Sequence, residues 1–110
     1  MPDASDEELH ATYGGHDAST IIYCHIHVPF VRRVDGLRVA NSGSVGWPVD
    51  GDWRPSYLVI EGGQASVRRV EYDLERELAE LRASRYPTRG WLEEAHRRSE
   101  FGQPFALDQQ

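Results

Sequence analysis

Residues 20–30 read TIIYCHIHVPF, and residues 41–46 read NSGSVG. The first stretch is an apolar run that ends in two histidines one residue apart, His25 and His27. If the run from Thr20 to Cys24 is a strand, His25 and His27 at its end point to the same side, because side chains alternate along a strand. Imidazole nitrogens suit zinc, manganese, iron or nickel. The stretch therefore predicts a pair of metal ligands, His25 and His27.

The same alternation is also typical of a half-exposed strand without a metal. The buried face would then consist of Ile22, Cys24, Ile26 and Val28, with the two histidines on the wetter face. On that face Cys24 would be a buried, inert thiol rather than a redox thiol. A metal centre needs at least three or four ligands, and this stretch offers two. Spacing alone leaves both interpretations open.

The order of the motifs resembles the C-terminal half of calcineurin-like metallophosphoesterases of the bacterial phosphodiesterase type. In that family the last blocks read Gly-His-Thr-His-x-Pro and Asn-Pro-Gly-Ser-Val-Gly. Here they correspond to residues 24–29 and 41–46, joined by a hairpin through Asp35-Gly36, and the resemblance covers about residues 18–72. The sequence departs from the family at three positions, with Cys24 in place of glycine, Ile26 in place of threonine and Ser42 in place of proline.

The resemblance implies a metal-dependent phosphoesterase that hydrolyses phosphodiesters or phosphomonoesters. His25 and His27 match the two metal-binding histidines of the family, one for each ion of a binuclear centre that activates a bridging hydroxide. The implied cofactor is a divalent transition metal: manganese, iron, zinc or nickel. Asn41, Gly43 and Ser44 match the block beside that centre and would shape the site or contact substrate. Without the resemblance, an ordinary tight loop explains them more simply.

The early motifs of the family have no counterpart in this sequence. They are an Asp-x-His, a Gly-Asp that bridges the metals and a Gly-Asn-His-Asp, and there is no room for them ahead of His25. The one lookalike, Gly14-Gly15-His16-Asp17, lacks the asparagine and lies too close to the histidine pair. The chain is therefore expected to be incomplete as an enzyme by itself, and no catalytic residue is assigned.

Two alternatives follow from the missing ligands. The chain could be a catalytically inactive, truncated module that acts through oligomerisation or partner binding. It could also be a small metal-binding protein in which two His-x-His pairs from a dimer give four imidazoles to one ion.

Composition limits the partners and the compartment. With 18 acidic and 12 basic residues the formal charge is −6, which disfavours a nucleic-acid surface or an anionic membrane as the main partner. The expected partners are a phosphoester substrate, if the chain is active, and a second copy of the chain. One cysteine cannot form an internal disulfide, and no leader or membrane-spanning run is present, so a cytoplasmic location is expected.

Local signals predict an α+β fold in one small domain, residues 1–110, with an antiparallel sheet of about five strands and helices at both ends. Ser5 and Glu8 form a capping box that begins a helix ending near Tyr13. Asp35-Gly36 and Gly62-Gly63 predict two hairpins within the metallophosphoesterase-like sheet region, residues 18–72. The remaining helical tail covers residues 73–103. Such a sheet resembles half of a metallophosphoesterase sandwich.

Overall fold

A computed structural model of the chain describes residues 3–100. In chain order the elements are α1 (Asp6–Tyr13), β1 (Thr20–Tyr23), β2 (Phe30–Val34), β3 (Leu37–Asn41), β4 (Ser56–Glu61), β5 (Gln64–Arg69), α2 (Leu74–Ala83) and α3 (Arg89–Arg98). The α+β class is confirmed, with the strands in the middle of the chain and helices on both sides of them.

The strands form two small sheets rather than one. β1, β3 and β2 make a sheet in that order, and β4 and β5 make a separate hairpin. β1 is parallel to β3, because the chain reverses once before β2 and again in the β2–β3 hairpin. The single antiparallel sheet of the sequence prediction is thus divided. The segment between β3 and β4 contains Pro48 and Pro55, and proline cannot donate to a ladder of hydrogen bonds.

The structure confirms the predicted capping box of α1 and the predicted hairpin turn at Asp35-Gly36. The Ser5 hydroxyl accepts a hydrogen bond from the Glu8 amide, and the Glu8 carboxylate accepts one from the Ser5 amide, so the capping box begins α1. Asp35 and Gly36 both have positive φ, at 49° and 82°, as a two-residue hairpin turn between twisted strands requires.

The core lies between α1 and one face of the three-stranded sheet. Its buried residues are Leu9, Val34, Leu37 and Val39, and the partly buried side chains around them include Tyr13, Ile21, Tyr23 and Phe30. Because Ile21 and Tyr23 face the core, Ile22 points the other way and is 47% exposed. Cys24 is also exposed. The interpretation in which Ile22 and Cys24 form the buried face of the strand is wrong, since α1 covers the opposite face.

The two C-terminal helices pack against each other. Leu78 of α2 and Ala95 of α3 are buried, and the ion pairs Arg82–Glu93 and Arg97–Glu75 join the two helices. The predicted tail extends to residue 103, and its last three residues lie outside the described part of the chain. Within residues 3–100, no helix has the length and apolar character needed to cross a membrane.

Candidate functional site

The two histidines lie in a loop after β1, not on the strand. We call residues 24–29 the histidine loop. The strand ends at Tyr23, and φ is 111° at His25 and 60° at His27, values that an extended strand does not contain. The strand predicted for Thr20 to Cys24 thus ends one residue earlier, and the alternation that would point both imidazoles to one side does not extend to the histidines. Their role as metal ligands stays a prediction.

Positive φ at a residue other than glycine stores strain. Each such residue costs about 1–3 kcal/mol and persists only where the surroundings hold it, which is common at functional sites. Here the loop after β3 supplies the support. The Ser42 amide donates to the Tyr23 carbonyl at 3.2 Å, and the Val49 amide donates to the His27 carbonyl at 3.4 Å. The segment after β3 thus holds the backbone just before the histidine loop, at Tyr23, and within it, at His27.

The imidazole of His27 has a defined tautomer. Its Nδ1 lies 2.8 Å from the carbonyl oxygen of Trp47. A carbonyl can only accept, so Nδ1 carries the proton and Nε2 carries the lone pair in the neutral ring. A ring nitrogen that donates to a backbone carbonyl is the usual support for a histidine that binds metal through its other nitrogen. The chemistry of His27 therefore fits the predicted role.

The second motif forms a buried turn against the histidine loop. Asn41 is fully buried, and its Oδ1 accepts a hydrogen bond of 2.8 Å from the Gly43 amide. Its Nδ2 is buried without a hydrogen-bond partner in residues 3–100. Gly43 has φ +74°, and a Cβ there would lie 2.0 Å from Ser56 Oγ and 3.0 Å from Pro29 Cδ. The structure thus brings Asn41 and Gly43 into close packing with the end of the histidine loop.

Ser56 joins this turn to β4. Its Oγ accepts a hydrogen bond of 3.1 Å from the Ser44 amide and donates one of 3.0 Å to the Ser42 carbonyl. The residue is 2% exposed. Sequence reasoning did not identify Ser56, because a serine at the start of a strand carries no signal of such a role.

An aromatic cluster links the site to α3. The ring of Trp47 is stacked on His96 at 5.8 Å and meets Trp91 edge-on at 5.6 Å, while His27 lies 6.3 Å from Trp47. His96 Nδ1 donates to the Leu92 carbonyl at 2.7 Å, so its tautomer is also fixed. Sequence reasoning did not identify His96. A histidine one helical turn beyond Leu92 was the signal available for it.

The donor set falls short of a metal centre. Within residues 3–100, no three side chains of histidine, cysteine, aspartate or glutamate are placed so that they could hold one metal ion. His16 and Asp17 lie in the exposed turn after α1 and add no third ligand to the pair. Two imidazoles are fewer than the three or four ligands of a protein metal site. The described residues therefore fit part of the implied centre and do not complete it.

The fold is similar to that of a known metallophosphoesterase. The crystal structure of the metallophosphoesterase from Sphaerobacter thermophilus matches 86% of this chain with a TM-score of 0.76 and 24% sequence identity. The match covers 48% of that protein, so this chain spans about half of its length. No protein-family model matches the chain, and no curated protein matches it either. The likeness shows the fold, and it is consistent with a partial module.

Proposed function

We propose that this chain is the C-terminal half of a metal-dependent phosphoesterase. The observation that carries the proposal is the packing of the histidine loop against the Asn41–Ser44 turn on a metallophosphoesterase-like fold. His27 is oriented by the Trp47 carbonyl, both histidines have a strained backbone, and the Val49 amide of the neighbouring loop holds the His27 carbonyl. These features support His25 and His27 as ligands of a divalent transition metal.

The Asn41–Ser44 turn lies next to the histidine loop and supports it. Asn41 and Gly43 fix the turn, and Ser44 is tied to β4 through Ser56. We assign these residues the role of shaping the site next to the histidine loop. Reaction steps at the metal are not assigned to them, because the described ligands do not complete a centre.

The shortage of ligands also favours a second function for the chain by itself. A chain that holds half of a fold is suited to associate with another polypeptide or with a second copy, which would supply the remaining ligands. In this view phosphoester hydrolysis belongs to the assembled fold. We place it in the cytoplasm, since the single cysteine, Cys24, has no disulfide partner.

Metal content tests the ligand assignment. The purified chain is loaded with zinc or manganese, dialysed and analysed for metal per chain, beside His25→Ala/His27→Ala. The matched control is His10→Ala/His16→Ala, which also removes two histidines, both exposed and outside the histidine loop. We expect metal in the wild type and control and none in the loop variant. Equal metal in all three proteins would refute the assignment.

A hydrolysis assay tests whether the chain is incomplete as an enzyme. We expect no hydrolysis of bis(p-nitrophenyl) phosphate by the isolated chain with added manganese, because two imidazoles bind an ion more weakly than a full site does. Turnover that disappears in His27→Ala would show that the chain, or a dimer of it, completes the centre. Light scattering on the same sample separates those two cases.

A further inference from the structure

Two arginines face each other on the side of the three-stranded sheet that α1 does not cover. Arg33 of β2 lies directly opposite Arg38 of β3, and Arg38 lies opposite Thr20 of β1. These positions alternate with the core-facing residues, so the three side chains form a row on the outer face. Arg38 Nη1 is 3.4 Å from Thr20 Oγ1, which directs its guanidinium towards β1.

This row is electrostatically unbalanced. Like charges directly opposite each other on a sheet are destabilising. Neither Arg33 nor Arg38 forms an ion pair with a carboxylate of residues 3–100, whereas Arg32 pairs with Asp6 and Arg69 with Asp50. Among the described arginines without such a pair, Arg38 alone is half-buried; the others are exposed. Arg33 also lines an exposed space with the carboxylates of Asp6, Glu7 and Asp35, without an ion pair to them, so the half-buried Arg38 is the charge that most lacks a counterion. In a chain with a net charge of −6, this suggests that an anion from outside neutralises Arg38, with Arg33 opposite it as a second cation.

The row opens into a cavity between the two sheets. Its lining includes Ser19, Thr20, Ile22, Arg33, Arg38 and Ile60. One part of the lining carries the guanidinium groups of the two arginines and the hydroxyls of Ser19 and Thr20. The other part is an apolar wall made by Ile22 and Ile60, which are 47% and 52% exposed. We call this space the arginine cavity.

We propose that the arginine cavity binds a small organic phosphate, with the phosphate between Arg33 and Arg38 and the organic group against Ile22 and Ile60. The planar guanidinium presents N–H donors in a fork that matches phosphate oxygens, and two forks from opposite strands can share one phosphate group. The Ser19 and Thr20 hydroxyls are further donors at the same end. The apolar wall favours a phosphate that carries a compact hydrocarbon or aryl group over inorganic phosphate.

The arginine cavity is separate from the histidine loop. It lies beside Thr20, where β1 begins, while the histidine loop follows Tyr23, where β1 ends. At about 3.3 Å per residue, the strand places the two regions roughly 10–15 Å apart. The proposal therefore does not depend on the metal ligands, and a chelator removes any phosphate binding through metal from the experiment.

Calorimetric titration tests the proposal. Phenyl phosphate, inorganic phosphate and phenol are each titrated into the purified chain at low ionic strength with a chelator present. We expect saturable one-to-one binding of phenyl phosphate, weaker binding of inorganic phosphate and none of phenol. Arg38→Gln should weaken the binding of phenyl phosphate by about tenfold or more, the effect of losing one charge-assisted hydrogen bond.

The variants distinguish a lost site from a lost fold. Arg38→Gln removes a like-charge contact, so its melting temperature should equal or exceed that of the wild type while its affinity for phenyl phosphate falls by about tenfold or more. Arg33→Gln, on the opposite strand, should also weaken the binding of phenyl phosphate and is a second, independent test of the proposal. Arg85→Gln, an exposed arginine outside the cavity, should bind phenyl phosphate as the wild type does. No saturation below about 10 mM, or equal affinity in Arg38→Gln, would overturn the proposal.

Discussion

Gly43 is the residue at which the tight packing of the site can be measured most directly. Its φ is +74°, and an added Cβ would lie 2.0 Å from Ser56 Oγ and 3.0 Å from Pro29 Cδ. Gly51 has nearly the same φ, +80°, but no heavy atom lies within 4 Å of the position of its Cβ. Alanine at Gly51 thus suffers the backbone penalty alone, whereas alanine at Gly43 also meets a steric conflict.

The expected magnitudes follow from these two environments. A left-handed backbone costs an L-residue about 1–2 kcal/mol, which is the prediction for Gly51→Ala. At Gly43 the overpacking adds about 1–3 kcal/mol, and displacement of Ser56 from its hydrogen bonds adds about 1 kcal/mol or more. Gly43→Ala should therefore lower the free energy of unfolding by about 3–6 kcal/mol, a large part of the roughly 5–15 kcal/mol that stabilises a typical domain.

Urea unfolding followed by tryptophan fluorescence measures both variants. With a slope of about 1–3 kcal/mol per molar urea, the midpoint of Gly43→Ala should lie about 1 M or more below that of Gly51→Ala. The double variant Gly43→Ala/Ser56→Ala removes the Ser56 Oγ that conflicts with the added Cβ. Its loss of unfolding free energy should therefore be smaller than the sum of the losses in the two single variants. Equal midpoints for the two glycine variants would refute the close approach of the turn to Ser56 and Pro29.

Three further predictions concern other supports of the fold. Ser56→Ala removes the partner of the half-buried Ser44 amide and Ser42 carbonyl and should lower the free energy of unfolding by about 1–3 kcal/mol in urea, whereas Ser66→Ala on an exposed strand position should change little. The side-chain hydrogen bond from Arg54 lowers the pKa of Asp52 from its ordinary 3.8 to about 2. Because the folded carboxyl has the lower pKa, its stabilisation is complete above about pH 4 and is lost as the pH falls towards 2, so the stability difference between wild type and Asp52→Asn should shrink over that range in a pH series. Ser5→Ala removes the N-cap of α1 and should lose about 1 kcal/mol in the same assay, and an unchanged midpoint would show that the cap does not stabilise the fold.

The features that could be predicted from sequence depend on neighbouring residues. The capping box of Ser5 and Glu8 and the turn at Asp35-Gly36 each involve fewer than five residues, and the structure confirms both. The parallel pairing of β1 with β3 joins Thr20 to Arg38 across an intervening strand. No local pattern specifies such a pairing, and the alternating pattern of β1 did not reveal which of its faces α1 would cover.

The candidate site was predicted in its residues but not in its geometry. The spacing of His25 and His27 suggested a strand, since histidine does not by itself signal a positive φ. Their conformation depends on hydrogen bonds from Ser42 and Val49, which lie on a different loop. His96 reaches the site through Trp47. Contacts of this kind form only when α3 packs on the segment between β3 and β4, so sequence spacing could not reveal them.

The open side of β1 affects how this chain behaves in concentrated solution. Among the described strands, β1 has β3 as its sole neighbour, and its sequence from Thr20 to Tyr23 contains neither a charge nor a proline. β2, at the other side of the sheet, carries Arg32 and Arg33, charges of the type that deter edge-to-edge aggregation. Unprotected edges recruit extended segments from other molecules, so the chain alone should become turbid at lower concentrations than a protein in which another strand covers β1.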